Sequence, residues 1–115
     1  MSEDRRIAER VRVQLDARWE GVISRREGIV SDISSTGCFI LTRAEVVAGE
    51  LIRVEIQSPT EGWFSLWGEV VYQIEEMGFA VSFTGSSKEE QTMLALLLDY
   101  LNGKQIDLDA YTEQV

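Results

Sequence analysis

The ten residues VRVQLDARWE, Val11–Glu20, alternate without a break. Val11, Val13, Leu15, Ala17 and Trp19 fall on one side, and Arg12, Gln14, Asp16, Arg18 and Glu20 on the other. A period of two with one apolar side is the pattern of an antiparallel strand that has one face in a core and one in water. Gly21 ends it. Downstream, the pattern predicts a second strand over about 22–30 and a third over 38–42, joined by the polar stretch SDISSTG (31–37). Residues 51–57 alternate again, with Ile52, Val54 and Ile56 as the apolar side. A loop holds Pro59, the one proline of the chain. Residues 63–73 and 78–83 make a last pair around Glu75-Glu76. Short strands at this regular spacing predict an all-β sandwich or barrel.

At Ser87 the period changes. Ser87 followed by Glu90 is a capping box, and 88–102 read as a helix with Gly103 as its stop. Its apolar residues (Met93, Leu94, Leu96 to Leu98, Tyr100 and Leu101) are too many for one stripe. The plain expectation is a helix that plugs or lids the barrel with most of its surface buried. The other is that the excess face docks a partner or a second copy. The tail 103–115 is acidic and expected to be mobile.

The bulk numbers bound what such a domain can do. At 115 residues the chain is one domain, long enough for a single core without staples. One cysteine, Cys38, excludes an internal disulfide, and with no histidine a Cys/His metal site is out. A reducing compartment, the cytoplasm, is expected. No signal peptide is recognisable at the start, and no apolar run is long enough to enter a bilayer. A net charge of −9 speaks against a general binder of nucleic acid or anionic membrane. The charge is uneven, however: residues 1–26 carry +2 and residues 27–115 carry −11. Nine of the eleven cations are Arg, whose planar fork suits phosphates and base edges. A small anionic ligand near the N-terminal end fits this distribution, whereas a long polyanion does not.

Two motifs flank the first strands. Upstream lie Arg5, Arg6 and Arg10, with the spacing Arg6-x-x-x-Arg10. Downstream lies Asp32-x-Ser34-x-x-Gly37. Taken singly, the first reads as a solvated arm and the second as an Asx-type turn with glycine at positive φ. Together, RxxxR, a spacer long enough for two antiparallel strands, and DxSxxG resemble the PilZ domain family, bacterial receptors of the second messenger cyclic di-GMP. Gly78-Phe79-Ala80-Val81-Ser82-Phe83 is similar to the family's closing strand, and a helix after the barrel is also similar. The resemblance implies a mainly β fold: a six-stranded antiparallel barrel with a C-terminal helix packed against it. Residues 1–10 would form a flexible Arg-rich arm, 11–102 the barrel with its helix, and 103–115 the tail.

The resemblance also implies a ligand and a site. Cyclic di-GMP has two guanines and two phosphodiesters, so it needs donors for anions and partners for the guanine edges. Arg6 and Arg10 would contact guanine and phosphate, with Arg5 as a basic neighbour. An Arg can give a bidentate pair to guanine O6 and N7 or to phosphate, and can stack on a purine. Asp32, when ionised, only accepts, which suits the donor-bearing guanine edge. Ser34 would offer a hydroxyl donor to a phosphate or base. Gly37, without a Cβ, would let the chain turn and lie close to the ligand. Tyr72 is a further candidate, as a ring near a guanine.

The remaining chemistry-bearing residues have plainer readings. Cys38 is expected to be a buried structural thiol, with no His to activate it. Trp19, Trp63 and Trp67 could form a stacking platform for single strands, but the acids among them favour core or rim packing. The segment 83–88 lacks phosphate-loop spacing and reads as a helix cap. No catalytic constellation is present, so no enzyme activity and no cofactor are expected. The expected function is a cyclic di-GMP-binding effector that couples messenger level to an unidentified downstream protein, in motility or biofilm regulation, by ordering its arm. Two alternatives stand beside it: a PilZ-like interaction module that binds no nucleotide, and a small oligonucleotide-binding barrel.

Overall fold

The computed structural model describes residues 10–21, 25–60 and 62–114, and the side chains of residues up to 103. The strands are β1 (Val11–Glu20), β2 (Arg25–Ile33), β3 (Gly37–Leu41), β4 (Leu51–Gln57), β5 (Trp63–Ile74) and β6 (Gly78–Phe83), followed by helix α1 (Lys88–Gln114). They close into a barrel in the order β1-β2-β3-β6-β5-β4, with every pairing antiparallel. This is the expected six-stranded barrel with one C-terminal helix. The opening alternation sets the inside: Ala17 and Trp19 of β1 are buried, as are Ile52, Val54 and Ile56 of β4. Trp19 meets Phe79 edge-on with ring centroids 5.0 Å apart, which fills the middle of the core.

Three register shifts break the ladder among the described residues. They fall between Arg12 and Leu15, between Val30 and Asp32, and between Val70 and Tyr72. A bulge inserts one residue and re-aims the side chains that follow it. Val30 and Ile33 both point into the core. Strict alternation from Val30 would therefore send Asp32 inward. The irregularity at Ser31 places Ser31 and Asp32 both on the outer surface. The second strand thus runs on to Ile33, past the expected end at 30, and carries the motif aspartate within it.

Two expectations about the helix need correction. The capping box forms as expected: the Ser87 amide donates to Glu90 Oε1 at 2.9 Å, and the Glu90 amide donates to Ser87 Oγ at 3.1 Å. The helix does not stop at Gly103, however, but continues to Gln114. Gly103 has no positive φ, so it forms no left-handed cap, and an interior glycine costs a helix only about 1 kcal/mol. Nor is most of the surface of residues 88–103 covered. Leu94 and Leu97 are buried on the core, whereas Met93, Leu96 and Tyr100 face outward. The helix is a lid lying against β1 and β5, and an ion pair of 3.2 Å between Arg53 and Glu90 ties its first turn to β4.

Candidate functional site

Residues 1–9 lie outside the described residues, so the expected contacts of Arg5 and Arg6 and the arm they belong to are not part of the described structure. Arg10 is described, and it joins the two motifs. Its Nη1 donates to Asp32 Oδ1 at 2.6 Å on the outer face of the barrel. The pairing of β1 with β2 brings them together: Val11 is opposite Ile33 and Arg12 opposite Asp32, so the chain before Val11 leaves beside the DxSxxG turn. The two side chains keep 50% and 29% of their surface exposed. An ion pair that wet contributes about 0–1 kcal/mol to folding. Its larger consequence is geometric. Among the described residues, one of the five guanidinium N–H groups is used, on Asp32.

Ser34, expected as a hydroxyl donor to a phosphate or base, is turned into the loop. It is fully buried, and its hydroxyl oxygen accepts from the Thr36 amide at 3.1 Å and the Gly37 amide at 3.3 Å. The Ser34 amide in turn donates to the Gly37 carbonyl at 2.8 Å. These contacts shape the loop from inside and leave the surface to Asp32 and its neighbours. Gly37 departs from the reading of a turn glycine, since its φ is not positive. A Cβ there would collide with the Val81 carbonyl oxygen of β6. The glycine admits a neighbouring strand at close range rather than supplying a left-handed turn. The Phe83 amide, donating to the Thr36 carbonyl at 2.8 Å, closes the same junction from the other side. The motif turn is thereby clamped to the last strand.

Cys38, the next residue, is buried as expected. Burial pushes its thiol from 9.0 up to about 12, the Asp32 carboxylate adds to the rise, and Arg10 opposes it. The folded state therefore keeps its proton at pH values where an unfolded thiol has lost it. The resulting stability is fully present below pH 9 and is lost as pH rises towards about 12. Chemical denaturation at pH 8 and pH 10.5 is expected to show wild type losing more stability than Cys38→Ala over that interval. Equal losses would contradict a thiol held protonated by the fold.

Tyr72 stands on β5 with half its surface exposed, and its ring lies 6.4 Å from that of Phe39. Phe39 is opposite Asp32 across β2 and β3. Neither Phe39 nor Arg12 stands out in the sequence, because the register that aligns them with Asp32 depends on the bulges. The tryptophans split. Trp19 is core, whereas Trp63 and Trp67 face out under the guanidinium groups of Arg18 and Arg53, at 3.9 Å and 5.1 Å from the ring centroids. Arg18 also donates to Glu55 at 2.7 Å. The three rings do not form one platform.

The family model of the PilZ domain matches residues 4–101 of the chain. Among solved structures, the PilZ domain of YcgR from Escherichia coli, determined with c-di-GMP, superposes with a TM-score of 0.75 at 16% identity, covering 92% of this chain and 97% of that one. The Bacillus subtilis inhibitor of motility MotI/DgrA gives a TM-score of 0.72 at 18% identity over 90% of this chain. The match spans 52%, about half, of the Bacillus protein's chain. The PilZ domain of CeSA from a cellulose-synthesizing bacterium gives 0.64 at 11% identity, covering 85% of this chain and 99% of that one. At these identities the structures share the fold. No curated protein matches the chain by sequence.

Proposed function

The chain belongs to the PilZ domain family, and on that premise we propose that it is a cyclic di-GMP receptor. The observation that carries the proposal is the 2.6 Å pair between Arg10 of RxxxR and Asp32 of DxSxxG, which joins both motifs on one outer face. In this reading the N–H groups of Arg10 other than the one given to Asp32, with Arg6 and Arg5, take a phosphodiester and the O6/N7 edge of a guanine. Asp32 accepts from the donor-bearing edge of a guanine. Ser34 and Gly37 act by fixing the turn on which Asp32 is carried. The structure solved with c-di-GMP in the E. coli relative supports the same ligand class.

The chain would act by binding rather than by catalysis. Residues 1–10 hold only Met1, Ile7 and Ala8 as apolar groups, and their arginines repel one another without an anion between them. The ligand would draw this arm onto the barrel, and the ordered arm would present a new surface to a downstream protein. Ordering costs about 1–2 kcal/mol per residue, so several charge-assisted contacts must offset it. Two features fit a cytoplasmic receptor of this kind. Among the described residues no helix is long and apolar enough to cross a membrane, and the one cysteine is a free, buried thiol.

Calorimetric titration with cyclic di-GMP, beside GTP and a single-stranded RNA, tests the proposal. Saturable binding of the dinucleotide alone supports it, and preference for RNA favours the oligonucleotide-binding alternative. No binding leaves the interaction module. Competition with cyclic di-AMP then isolates Asp32. Wild type is expected to prefer the guanine ligand, Asp32→Ala to lose that preference with much of its affinity, and Asp32→Asn to keep part of both. A wild-type preference for the adenine dinucleotide would contradict the guanine-reading role.

A further inference from the structure

Strand β5 begins WFSLWGEVV, and its two faces are both apolar. Phe64, Leu66 and Val70 fill the core, and the alternate positions Trp63, Ser65, Trp67, Glu69 and Val71 point outward. Three of those five are apolar. Strand β1 shows the contrast, since its outward positions are Arg12, Gln14, Asp16, Arg18 and Glu20. A strand that is apolar on both sides is the pattern of one covered on both sides. Here the outer side is open to water: Trp63 and Trp67 keep 39% and 44% of their surface exposed, and Val71 keeps half.

Cross-strand partners share a face of the sheet, so the register tells what surrounds the two rings. Arg53 of β4 is opposite Trp67, and the exposed Leu51 is opposite Glu69. The guanidinium groups of Arg53 and Arg18 already lie over the rings. Tryptophan and arginine are the residue types that protein interfaces concentrate at their centres. Both signs of charge are present. On the rows shared by β1, β4 and β5, Arg18 and Arg53 stand with Glu20, Glu55 and Glu69. Arg25 reaches Glu55 as well, at 3.8 Å. The face is thus close to neutral on a chain that carries −9.

We infer that this β4–β5 face binds a second copy of the chain, in a two-fold symmetric dimer. Two molecules of charge −9 repel wherever their excess acid meets, and a near-neutral face lets them approach. A two-fold contact sets one patch against itself, so that patch must hold both signs of charge around an apolar centre. This one does. A two-fold axis crossing β5 at Ser65 sets Trp63 of one copy against Trp67 of the other, with two small side chains between them. The rings with Leu51 and Val71 give an apolar centre of about 300–400 Å². A standard interface buries roughly 800 Å² per partner, and the charged rim supplies the rest. Around the barrel β5 lies three strands from β2 by either route. The dimer therefore keeps the Arg10–Asp32 faces of both copies clear, and the inference stands apart from the receptor reading.

Analytical ultracentrifugation of the full chain over a micromolar concentration series tests the inference, with wild type, Trp67→Glu, Leu51→Glu and Leu96→Glu compared. Wild type is expected to pass from monomer to dimer. Loss of a central tryptophan corresponds to a fall in affinity of roughly 30-fold or more. Trp67→Glu should therefore stay monomeric over the series, and Leu51→Glu should act in the same direction. Leu96 faces outward on α1, and Leu96→Glu should dimerise like wild type. Tryptophan emission of wild type should move to shorter wavelength as concentration rises, because Trp63 and Trp67 leave water while Trp19 is buried throughout. All three substituted residues are exposed, so the variants are expected to fold, and thermal melts check it. A wild type that stays monomeric throughout overturns the inference. So does a dimer that Leu96→Glu dissociates and Trp67→Glu does not.

Discussion

Arg10→Ala is expected to weaken cyclic di-GMP binding by roughly 10- to 150-fold while the melting temperature of the free protein hardly moves. A charge-assisted hydrogen bond contributes about 1.5–3 kcal/mol, which sets the range. The small effect on folding follows from exposure, since the Arg10–Asp32 pair is half open to water and screened. The substitution removes the contact between the two motifs and a phosphate or guanine donor at once. Arg6→Ala should act in the same direction, and wild-type affinity in both variants would remove the proposed site. Arg10→Lys should fall between, because an ammonium keeps the charge and loses the bidentate fork.

The second large effect concerns stability. Gly37→Ala is expected to destabilise the barrel by about 3 kcal/mol, the upper end for an overpacked site, and to lower the melting temperature by roughly 10 °C. The added Cβ meets the Val81 carbonyl, which belongs to a paired backbone and cannot rotate away as a side chain could. Relief requires β3 and β6 to separate, which would displace the turn holding Ser34 and distort the strand end that carries Asp32. Binding should therefore fall with stability. Gly103→Ala supplies the contrast. It adds a methyl group to open space on a continuous helix and should stabilise by up to about 1 kcal/mol. A neutral Gly37→Ala would mean that the motif glycine serves something other than the β3–β6 approach.

Much of this architecture is readable before any coordinates. The alternation of Val11 to Trp19 and of Ile52 to Ile56 names core residues correctly, because a period of two has one meaning when a single face is buried. The capping pair Ser87 and Glu90 marks the helix start for an equally local reason. The helix end was not legible, since a glycine stops a helix only when it adopts a left-handed conformation, and Gly103 does not.

The site divides in the same way. Arg10 and Asp32 stand out only through the two motifs taken together and the family resemblance they carry, whereas their meeting across β1 and β2 follows from a hairpin of that length. The parts played by Ser34 and Gly37 are not legible, because both depend on which atoms lie on the far side of the turn. Phe39 was invisible for another reason. Its alignment with Asp32 and Tyr72 is set by register shifts that leave no mark in composition or periodicity.

The central claim is that cyclic di-GMP binds on the outer face where RxxxR meets DxSxxG. Titrating isotopically labelled protein with the dinucleotide and following backbone amide resonances tests it directly. The account predicts that the largest shifts fall on residues 3–12 and 31–37, with a second group at Phe39, Ala80 and Tyr72, while amides around Trp63 and Trp67 on β5 stay in place. Shifts centred on the Trp63–Trp67 face, or none at saturating ligand, would contradict it.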